Sequence, residues 1–410
     1  MRIRFQNIVK SICRRETLIA AVSALAVIFA VVGIHTIFFT EETEQRIKVG
    51  FVYVDDESTA YTYNFIQAQN ALDAQYGTQV ETMAKYNVPE GKETAALQEL
   101  ADSGCNLIFT TSYGYGEGTK KFAADHPEIQ FCQATCDDAN KEPVLKNYHN
   151  FMGEIYQGRY VSGVVAGLKL QELIEEGLLE PDQAKIGYVG AYPYAEVISG
   201  YTAFFLGVRL VVPEAVMTVK YTNSWNDYML EKKYAEQLIR EGCVIISQHS
   251  DTAGPAVACE QTDSSQIVYL VAYNQSMADV APTTYLTGCK INWEPYISAA
   301  VRAVLTDKDI EECVTGDIYG QDAGAGFSEG WVEMLELNRV IATIGTQKKI
   351  DETIDAFKQG TIDVFQGDYI GVNPYDESDT YDLKQGYEEN ANSSAPTFGY
   401  VLKDVIKIEE

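Results

Sequence analysis

The sequence has little positive charge and few of the side chains that hold metal ions. It contains 31 lysine and arginine residues against 59 aspartate and glutamate residues, which gives a formal net charge of −28. A chain this acidic repels phosphate backbones, so we expect no nucleic acid partner. The four histidines are scattered and the eight cysteines include no C-x-x-C pair, so the sequence predicts neither a metal site nor a cofactor.

The sequence also lacks the common signatures of catalysis, and we expect no enzyme activity. Neither a G-x-S-x-G pattern nor a P-loop occurs. Ser247, His249, Ser250 and Asp251 are close along the chain, but consecutive residues on a strand point to alternating faces, which favours a polar strand-end loop over a catalytic triad. Gly114, Gly116 and Gly118 precede a predicted helix. They are compatible with a tight turn and equally with a backbone that approaches a ligand.

One long hydrophobic run stands near the start of the chain. Residues 1–15 are rich in arginine and lysine, the stretch from Leu18 to Phe39 is almost continuously apolar, and three glutamates follow. About 20 apolar residues span a bilayer, and basic flanks stay cytoplasmic. We therefore expect residues 1–45 to form an uncleaved transmembrane anchor with the remainder of the chain outside the cytoplasm. A cleaved signal peptide is the alternative, and Cys13 precedes the run, so a lipoprotein is not indicated.

Beyond the hydrophobic run, short β-rich segments alternate with amphipathic helical segments. This alternation predicts an α/β fold with parallel sheets covered on both faces. The strands are predicted at Lys48–Val54, Asn106–Thr111, Gln130–Thr135, Lys185–Val189, Val216–Tyr221, Val244–Gln248 and Gln266–Ala272. The pattern restarts once, which indicates two lobes with a hinge between them.

The chain divides into four parts on this interpretation. Residues 1–45 are the anchor. The first lobe comprises residues 46–156 and 284–318, and the second comprises 157–283 and 319–366. Residues 367–410 are acidic and rich in turn-forming residues, and we expect a loosely packed extension that docks on one lobe.

Aromatic and amide side chains follow the predicted strands at the ends where a ligand would bind. In open parallel sheets the ligand crevice lies beyond the carboxyl ends of the strands. Tyr61, Tyr113, Tyr192 and Trp225 come after four different strands. Any one of these rings could simply pack at the edge of a lobe. Together they favour a flat heterocyclic ligand, because each stacked ring contributes about 1–3 kcal/mol.

Several segments resemble a known family, the basic membrane protein (BMP) family of type I substrate-binding proteins. The resemblance runs from about Lys48 to Phe365. It is carried by VGFVYV (49–54), AYTYNFIQAQNAL (60–72), CNLIFTTSYGYGEGTKKFAADHPEIQF (105–131), EIYQGRYVSGVVAGL (154–168), KIGYVGAYPYAEVISGYTAFFLGVRLVVPEA (185–215), YTNSWNDYMLEKKYAEQLIREGCVIISQHSD (221–251) and INWEPYISAAVRAVL (291–305). Members deliver purine nucleosides or related bases to ABC transporters.

The resemblance implies a type I periplasmic binding protein fold, with two Rossmann-like lobes joined by three crossings that close around the ligand. It implies that Tyr61 and Trp225, one from each lobe, stack on the base. It also places Asn274 where many members have an Asp, and Trp293 where others bring a Lys or Trp into the site. The full set of expected ligand-binding residues is Asp56, Tyr61, Tyr63, Asn64, Ser112, Tyr113, Tyr192, Trp225, His249, Asp251, Asn274 and Trp293.

The function that follows from this resemblance is binding without chemistry. We expect an extracytoplasmic protein that holds a purine nucleoside or base between its lobes and delivers it to an ABC transporter permease. The alternative is a membrane-anchored sensor that uses the same cleft to signal to a partner in the membrane.

Overall fold

The computed structural model describes residues 46–409 of the chain. The strands are β1 (Ile47–Val52), β2 (Val80–Lys85), β3 (Leu107–Thr110), β4 (Gln130–Ala134), β5 (Tyr148–Gly153), β6 (Lys185–Gly190), β7 (Val216–Tyr221), β8 (Ile245–His249), β9 (Tyr269–Tyr273), β10 (Tyr285–Ile291), β11 (Asp317–Tyr319), β12 (Asp322–Ala325), β13 (Val332–Met334), β14 (Ile370–Asn373), β15 (Asp376–Asp382), β16 (Val401–Leu402) and β17 (Ile406–Glu409). The helices are α1 (Ala60–Tyr76), α2 (Glu93–Asp102), α3 (Gly116–Asp125), α4 (Ile155–Glu175), α5 (Ala195–Val211), α6 (Tyr228–Arg240), α7 (Gly254–Glu260), α8 (Glu294–Leu305), α9 (Ile310–Cys313) and α10 (Thr346–Lys358).

The anchor predicted in residues 1–45 lies outside the described residues. Within 46–409, no helix combines the length and the hydropathy that crossing a bilayer would require.

The first lobe is built on a seven-stranded sheet with the order β11-β12-β5-β4-β3-β1-β2. Its strands are parallel except for the edge pair β11 and β12. Val49 and Phe51 in β1 pair with Leu107 and Phe109 in β3, and all four side chains are buried. Helices on both faces exclude water from these strands, which explains their nearly continuous apolar sequence.

The second lobe repeats this design with the strand order β13-β10-β9-β8-β6-β7-β17. Only the edge strand β13 runs antiparallel to its neighbour. Ile186, Val219 and Ile245 from three adjacent strands are buried in its core. The seven strands predicted from the sequence are all present in the two sheets, within a few residues of the expected bounds.

The sequence pattern missed several strands of the two large sheets, and β2 and β5 show the physical reasons. β2 is an edge strand whose sequence, VETMAK, is only half-buried and carries little apolar signal. β5 is buried along its whole length but contains His149 and Asn150. The His149 ring bonds to Gln130 and Glu311, so tertiary partners satisfy polar groups that make the segment resemble a loop. The pattern also missed β10, which joins the second sheet after a long loop that follows β9.

Three chain crossings join the two lobes, as the family resemblance implies. They lie between β5 and α4, between β10 and α8, and between β12 and β13. The first two run side by side, because a Cβ atom on Gly153 would lie 2.8 Å from Ile291 Cγ2. This close approach leaves no room for a larger side chain at the hinge.

The expected lobe boundaries after residue 283 need correction. The segment 284–318 was assigned to the first lobe, yet its strand β10 lies in the second sheet, while its helix α8 packs against α1 of the first lobe. The segment 319–366 was assigned to the second lobe, yet its strand β12 lies in the first sheet. Periodicity predicts that a segment is a strand, but it carries no information about which sheet accepts it.

The expectation of a loosely packed C-terminal extension is wrong. β14, β15 and β16 form a small sheet, and β17 completes the edge of the second large sheet. Leu383, Phe398 and Leu402 in this region are fully buried. The extension bonds to both lobes, because Ser199 Oγ donates to Glu389, and Ser393 Oγ donates to Asp322 of the first sheet.

Candidate ligand-binding site

A cavity lies between the two lobes, at the carboxyl ends of both parallel sheets. This is the edge at which ligands bind in open α/β sheets. The first lobe lines it with Val54, Tyr61, Ser112, Tyr113 and Thr135. The second lobe lines it with Glu196, Trp225, His249, Asp251 and Tyr273.

Tyr61 forms an aromatic wall on the side of the first lobe. It is the second residue of α1, and its hydroxyl donates a 2.5 Å hydrogen bond to the carbonyl oxygen of Thr111. Its ring meets Phe65 edge to face at 5.2 Å. Trp293, only 1% exposed, stacks on Phe65 at 4.2 Å and meets the edge of Tyr61 at 6.1 Å. The bond and this packing restrict the orientation of the Tyr61 ring.

Trp225 forms the corresponding wall on the second lobe. It lies in the loop between β7 and α6, and Asp227 caps that helix by accepting from Leu230 N at 2.9 Å. The Trp225 carbonyl oxygen accepts from Asp251 N at 2.9 Å, which ties the loop to the end of β8. Tyr192 meets the Trp225 ring edge to face at 5.1 Å. Trp225 is therefore held by its backbone and by a neighbouring ring.

A buried histidine lines the cavity from the second lobe, and a buried arginine lies behind the lining residues. His249 ends β8, and its ring lies 4.6 Å from the ring of Tyr273. The other neighbour of Tyr273 is Arg159, whose guanidinium carbon is 3.5 Å from the ring centroid and whose Nη1 donates to Gln248 O. Burial, and then the Arg159 charge, lowers the pKa of His249 to about 4. The imidazole is therefore neutral at physiological pH.

Two carboxylates complete the wall of the second lobe. Glu196, in the first turn of α5, places Oε1 3.5 Å from His249 Nε2. Asp251 is 9% exposed, and burial raises its pKa well above the ordinary value, with the charges of Glu231, Asp55 and Glu196 adding to the effect. A carboxylate in this setting gains from any partner that donates a hydrogen bond or carries positive charge.

The two lobes touch each other around the cavity, so the structure is closed. Asn226 Nδ2 donates to Asp55 Oδ2 at 2.7 Å, and Ala60 N donates to Asp251 O at 3.3 Å. At the mouth, the rings of Tyr113 and Tyr194 lie 5.6 Å apart. These contacts join the start of α1 and its neighbours to the loops of the second lobe. Closure of this kind excludes water from a bound ligand.

Half of the residues expected to bind the ligand line the cavity. They are Tyr61, Ser112, Tyr113, Trp225, His249 and Asp251. Tyr61 and Trp225, on which the stacking hypothesis depends, face the same cavity from opposite lobes. Their contact with a ligand stays a prediction.

The other six expected residues do not line the cavity. Trp293 lies behind Phe65, and Tyr192 lies behind Trp225. Asn64 Nδ2 donates to Asn274 O at 2.9 Å, so this pair links the lobes through a hydrogen bond. Asp56 accepts from Ser58 N in a turn, and Tyr63 lies on α1 and is not among the lining residues. Four residues support the site or its closure, although they do not face the cavity.

Sequence reasoning missed four lining residues. They are Val54, Thr135, Glu196 and Tyr273. Thr135 and Tyr273 follow or end strands β4 and β9, so the strand-end rule could have found them. Glu196 is the second residue of α5, and the direction of this helix brings its carboxylate to the cavity.

Comparison with known proteins identifies the family to which this chain belongs. Residues 47–362 match the family described as ABC transporter substrate-binding protein PnrA-like. The chain belongs to this family. Its members are substrate-binding proteins and not enzymes, which confirms the family and the lack of enzyme activity expected from the sequence. In residues 46–409, no cluster of His, Cys, Asp and Glu is arranged to hold a metal ion.

Individual relatives agree with this assignment and differ in their named ligands. A purine-binding protein of Brucella abortus is 31% identical over 79% of this chain and 84% of its own length. A Haloferax volcanii protein that carries the name of an ABC transporter glucose-binding protein is 27% identical over 63% of this chain and 61% of its own. The solved solute-binding protein of Aeropyrum pernix matches with a TM-score of 0.62, at 15% identity, over 81% of this chain and 95% of that one. The last comparison shows the fold alone.

Proposed function

We propose that this protein closes its two lobes on a purine base or nucleoside outside the cytoplasm and presents the closed complex to the permease of an ABC transporter. The observation that carries the proposal is the pairing of Tyr61 with Trp225. One aromatic ring from each lobe lines the same cavity, and buried polar groups line it as well. The Brucella abortus relative named as a purine-binding protein supports the same ligand class.

The chemistry of the cavity suits a flat ligand with polar edges. Stacking on an aromatic side chain contributes about 1–3 kcal/mol per ring, and a ring that is already held in place loses little entropy on binding. The polar side chains of the second lobe can pair with the ligand's edge once water is excluded. A sugar ring could also bind between aromatic side chains, so the glucose-binding name of one relative makes sugars the necessary comparison.

We propose that the hydrophobic run in residues 1–45 keeps the binding lobes at the outer face of the cell membrane. The acidic surface supports this arrangement, because a net charge of −28 keeps the lobes soluble and away from anionic headgroups. A tethered binding protein would meet its permease in two dimensions, which raises its effective concentration.

Ligand-dependent stabilisation of the purified full-length chain tests this function. Adenine, adenosine, guanosine and hypoxanthine would be compared with glucose by thermal unfolding and calorimetry. A ligand present at 100 times its Kd raises the unfolding free energy by about 2.7 kcal/mol. We expect this effect with at least one purine and none with glucose.

A matched pair of variants ties the effect to the cavity. Trp225→Ala removes the ring on the second lobe and should weaken purine binding by about 1–3 kcal/mol. Met229→Ala changes a side chain four residues away that is exposed to solvent, and it should leave binding intact. The proposal would be contradicted if glucose alone stabilised the protein or if none of the purines did.

A further inference from the structure

The acidic side chains that line the cavity are both on the second lobe. Glu196 and Asp251 line it from the second lobe, whereas no lysine or arginine is among the described residues that line it. Arg159 lies against the Tyr273 ring, and its Nη1 donates to Gln248 O. The surface offered to a ligand is therefore rich in hydrogen-bond acceptors and poor in positive charge.

Asp251 is held in place by its backbone while its side chain stays available. Its N–H donates to Trp225 O at 2.9 Å, and its carbonyl oxygen accepts from Ala60 N of the opposite lobe at 3.3 Å. The Asp251 carboxylate accepts no hydrogen bond from residues 46–409, and the residue is only 9% exposed to solvent. A buried carboxylate without a donor is costly. A ligand that supplies a donor removes that cost.

Glu196 and His249 form a second set of polar groups on the same wall. Both ring nitrogens of His249 are buried, and neither has a hydrogen-bond partner among the described residues. The nearest carboxylate oxygen, from Glu196, is 3.5 Å from Nε2. Since the imidazole is neutral, it offers one donor and one acceptor. Glu196, when ionised, offers acceptors only.

We propose that this wall makes the site selective for purines with an exocyclic amino group over their oxo counterparts, and that it rejects phosphorylated nucleosides. The proposal rests on the purine function proposed above and defines the ligand class more narrowly. An amino group donates to a carboxylate. A carbonyl at the same position sets two acceptors against each other, and a buried polar group left unpaired costs more than a hydrogen bond contributes. A phosphate would bring negative charge to a cavity whose described lining residues include two acidic side chains and no lysine or arginine.

Two matched ligand pairs test this selectivity by calorimetry on the full-length chain. Adenine carries an amino group where hypoxanthine carries an oxo group, and the adjacent ring nitrogen changes from an acceptor to an N–H donor. Guanine and xanthine differ in the same way at another ring position. We expect the amino member of at least one pair to bind 10-fold or more tightly, and AMP to bind at least 100-fold more weakly than adenosine.

Variants assign the selectivity to the carboxylates. Glu196→Gln and Asp251→Asn keep the size of each side chain but add an amide N–H₂ that can donate to a carbonyl. At least one of them should reduce the amino-to-oxo ratio fivefold or more. Glu117→Gln, at an exposed position on α3 of the first lobe, is the control and should leave the ratio unchanged. Thermal unfolding of each variant checks that it is folded.

The outcomes separate this inference from the proposed function. If the members of both pairs bind equally, or if neither variant changes the ratio, the inference fails while the purine function stands. Tight binding of AMP would also overturn it. If no purine binds to the wild-type chain, the proposed function fails, and this inference fails with it.

Discussion

The two lobes contribute five residues each to the cavity but differ in the chemistry that they bring. The first lobe supplies a valine, two hydroxyl-bearing side chains and two tyrosines, whereas the second supplies two carboxylates, an imidazole, a tryptophan and a tyrosine. The first wall can stack and shield a ligand without regard to its edge. The second wall can distinguish donors from acceptors. Substitutions in the first lobe should therefore change affinity for all purines, and those in the second should change selectivity and pH dependence.

The largest expected effect concerns the support of the first wall. Trp293→Ala removes a fully buried ring that stacks on Phe65 behind Tyr61. Such a deletion should lower the unfolding free energy by about 3–5 kcal/mol and loosen Tyr61. Chemical denaturation measures it, with Tyr375→Ala, an exposed aromatic, as the control. A loss below about 1 kcal/mol would mean that the first wall does not depend on this packing.

The second wall should make stability sensitive to acid. The pKa of His249 is lowered from 6.5 to about 4 in the folded protein, so the unfolded chain binds the proton first. The contribution of His249 to the unfolding free energy is fully present above pH 6.5 and is lost as the pH falls toward 4, by up to about 3 kcal/mol. His249→Gln should flatten this part of the stability profile. An unchanged slope in the variant would place the acid sensitivity elsewhere.

Tyr61 tests whether the first wall acts by its ring alone. Tyr61→Ala should weaken amino-purines and oxo-purines alike, by about 1–3 kcal/mol, because stacking does not depend on the ligand's edge. Tyr61→Phe keeps the ring and loses the hydrogen bond to Thr111, so it should lose no more than about 1 kcal/mol of binding. Calorimetry with adenine and hypoxanthine separates the two. A change in the amino-to-oxo ratio would break the division of labour between the lobes.

The smallest expected effect is a gain in stability on the second wall. Asp251 has its pKa raised by burial, so the unfolded chain ionises first as the pH rises from 3.8, and the folded state loses stability until the folded pKa is passed. Asp251→Asn removes that loss and should stabilise the ligand-free protein at pH 7 by on the order of 1 kcal/mol. Asp125→Asn, at an exposed position on α3, is the control. Destabilisation of the ligand-free protein by Asp251→Asn would show that the carboxylate is satisfied without a ligand.

The sequence predicted the ends of the strands better than the directions of individual side chains. Tyr61, Trp225 and Asp251 follow strands whose apolar runs are unmistakable, and parallel strands must bring their carboxyl ends to one edge. Trp293 follows a strand in the same way but is buried behind Phe65. The strand-end rule places a residue at the edge of the sheet where the cleft lies. It does not tell which way a side chain turns there, because that depends on the packing of the next helix.

The sequence by itself determined the α/β alternation, the family, the acidic character and the pairing of aromatic residues across the cleft, because these depend on local composition and spacing. Only the tertiary structure decided that β10 lies in the second sheet and β12 in the first. It also decided that the C-terminal extension bonds to both lobes and that Glu196 and Asp251 line the cavity from the same lobe. The physical reason is that these features depend on contacts between segments far apart in the chain. The propensities of a segment are local, whereas its partners are set by the burial available to the whole fold.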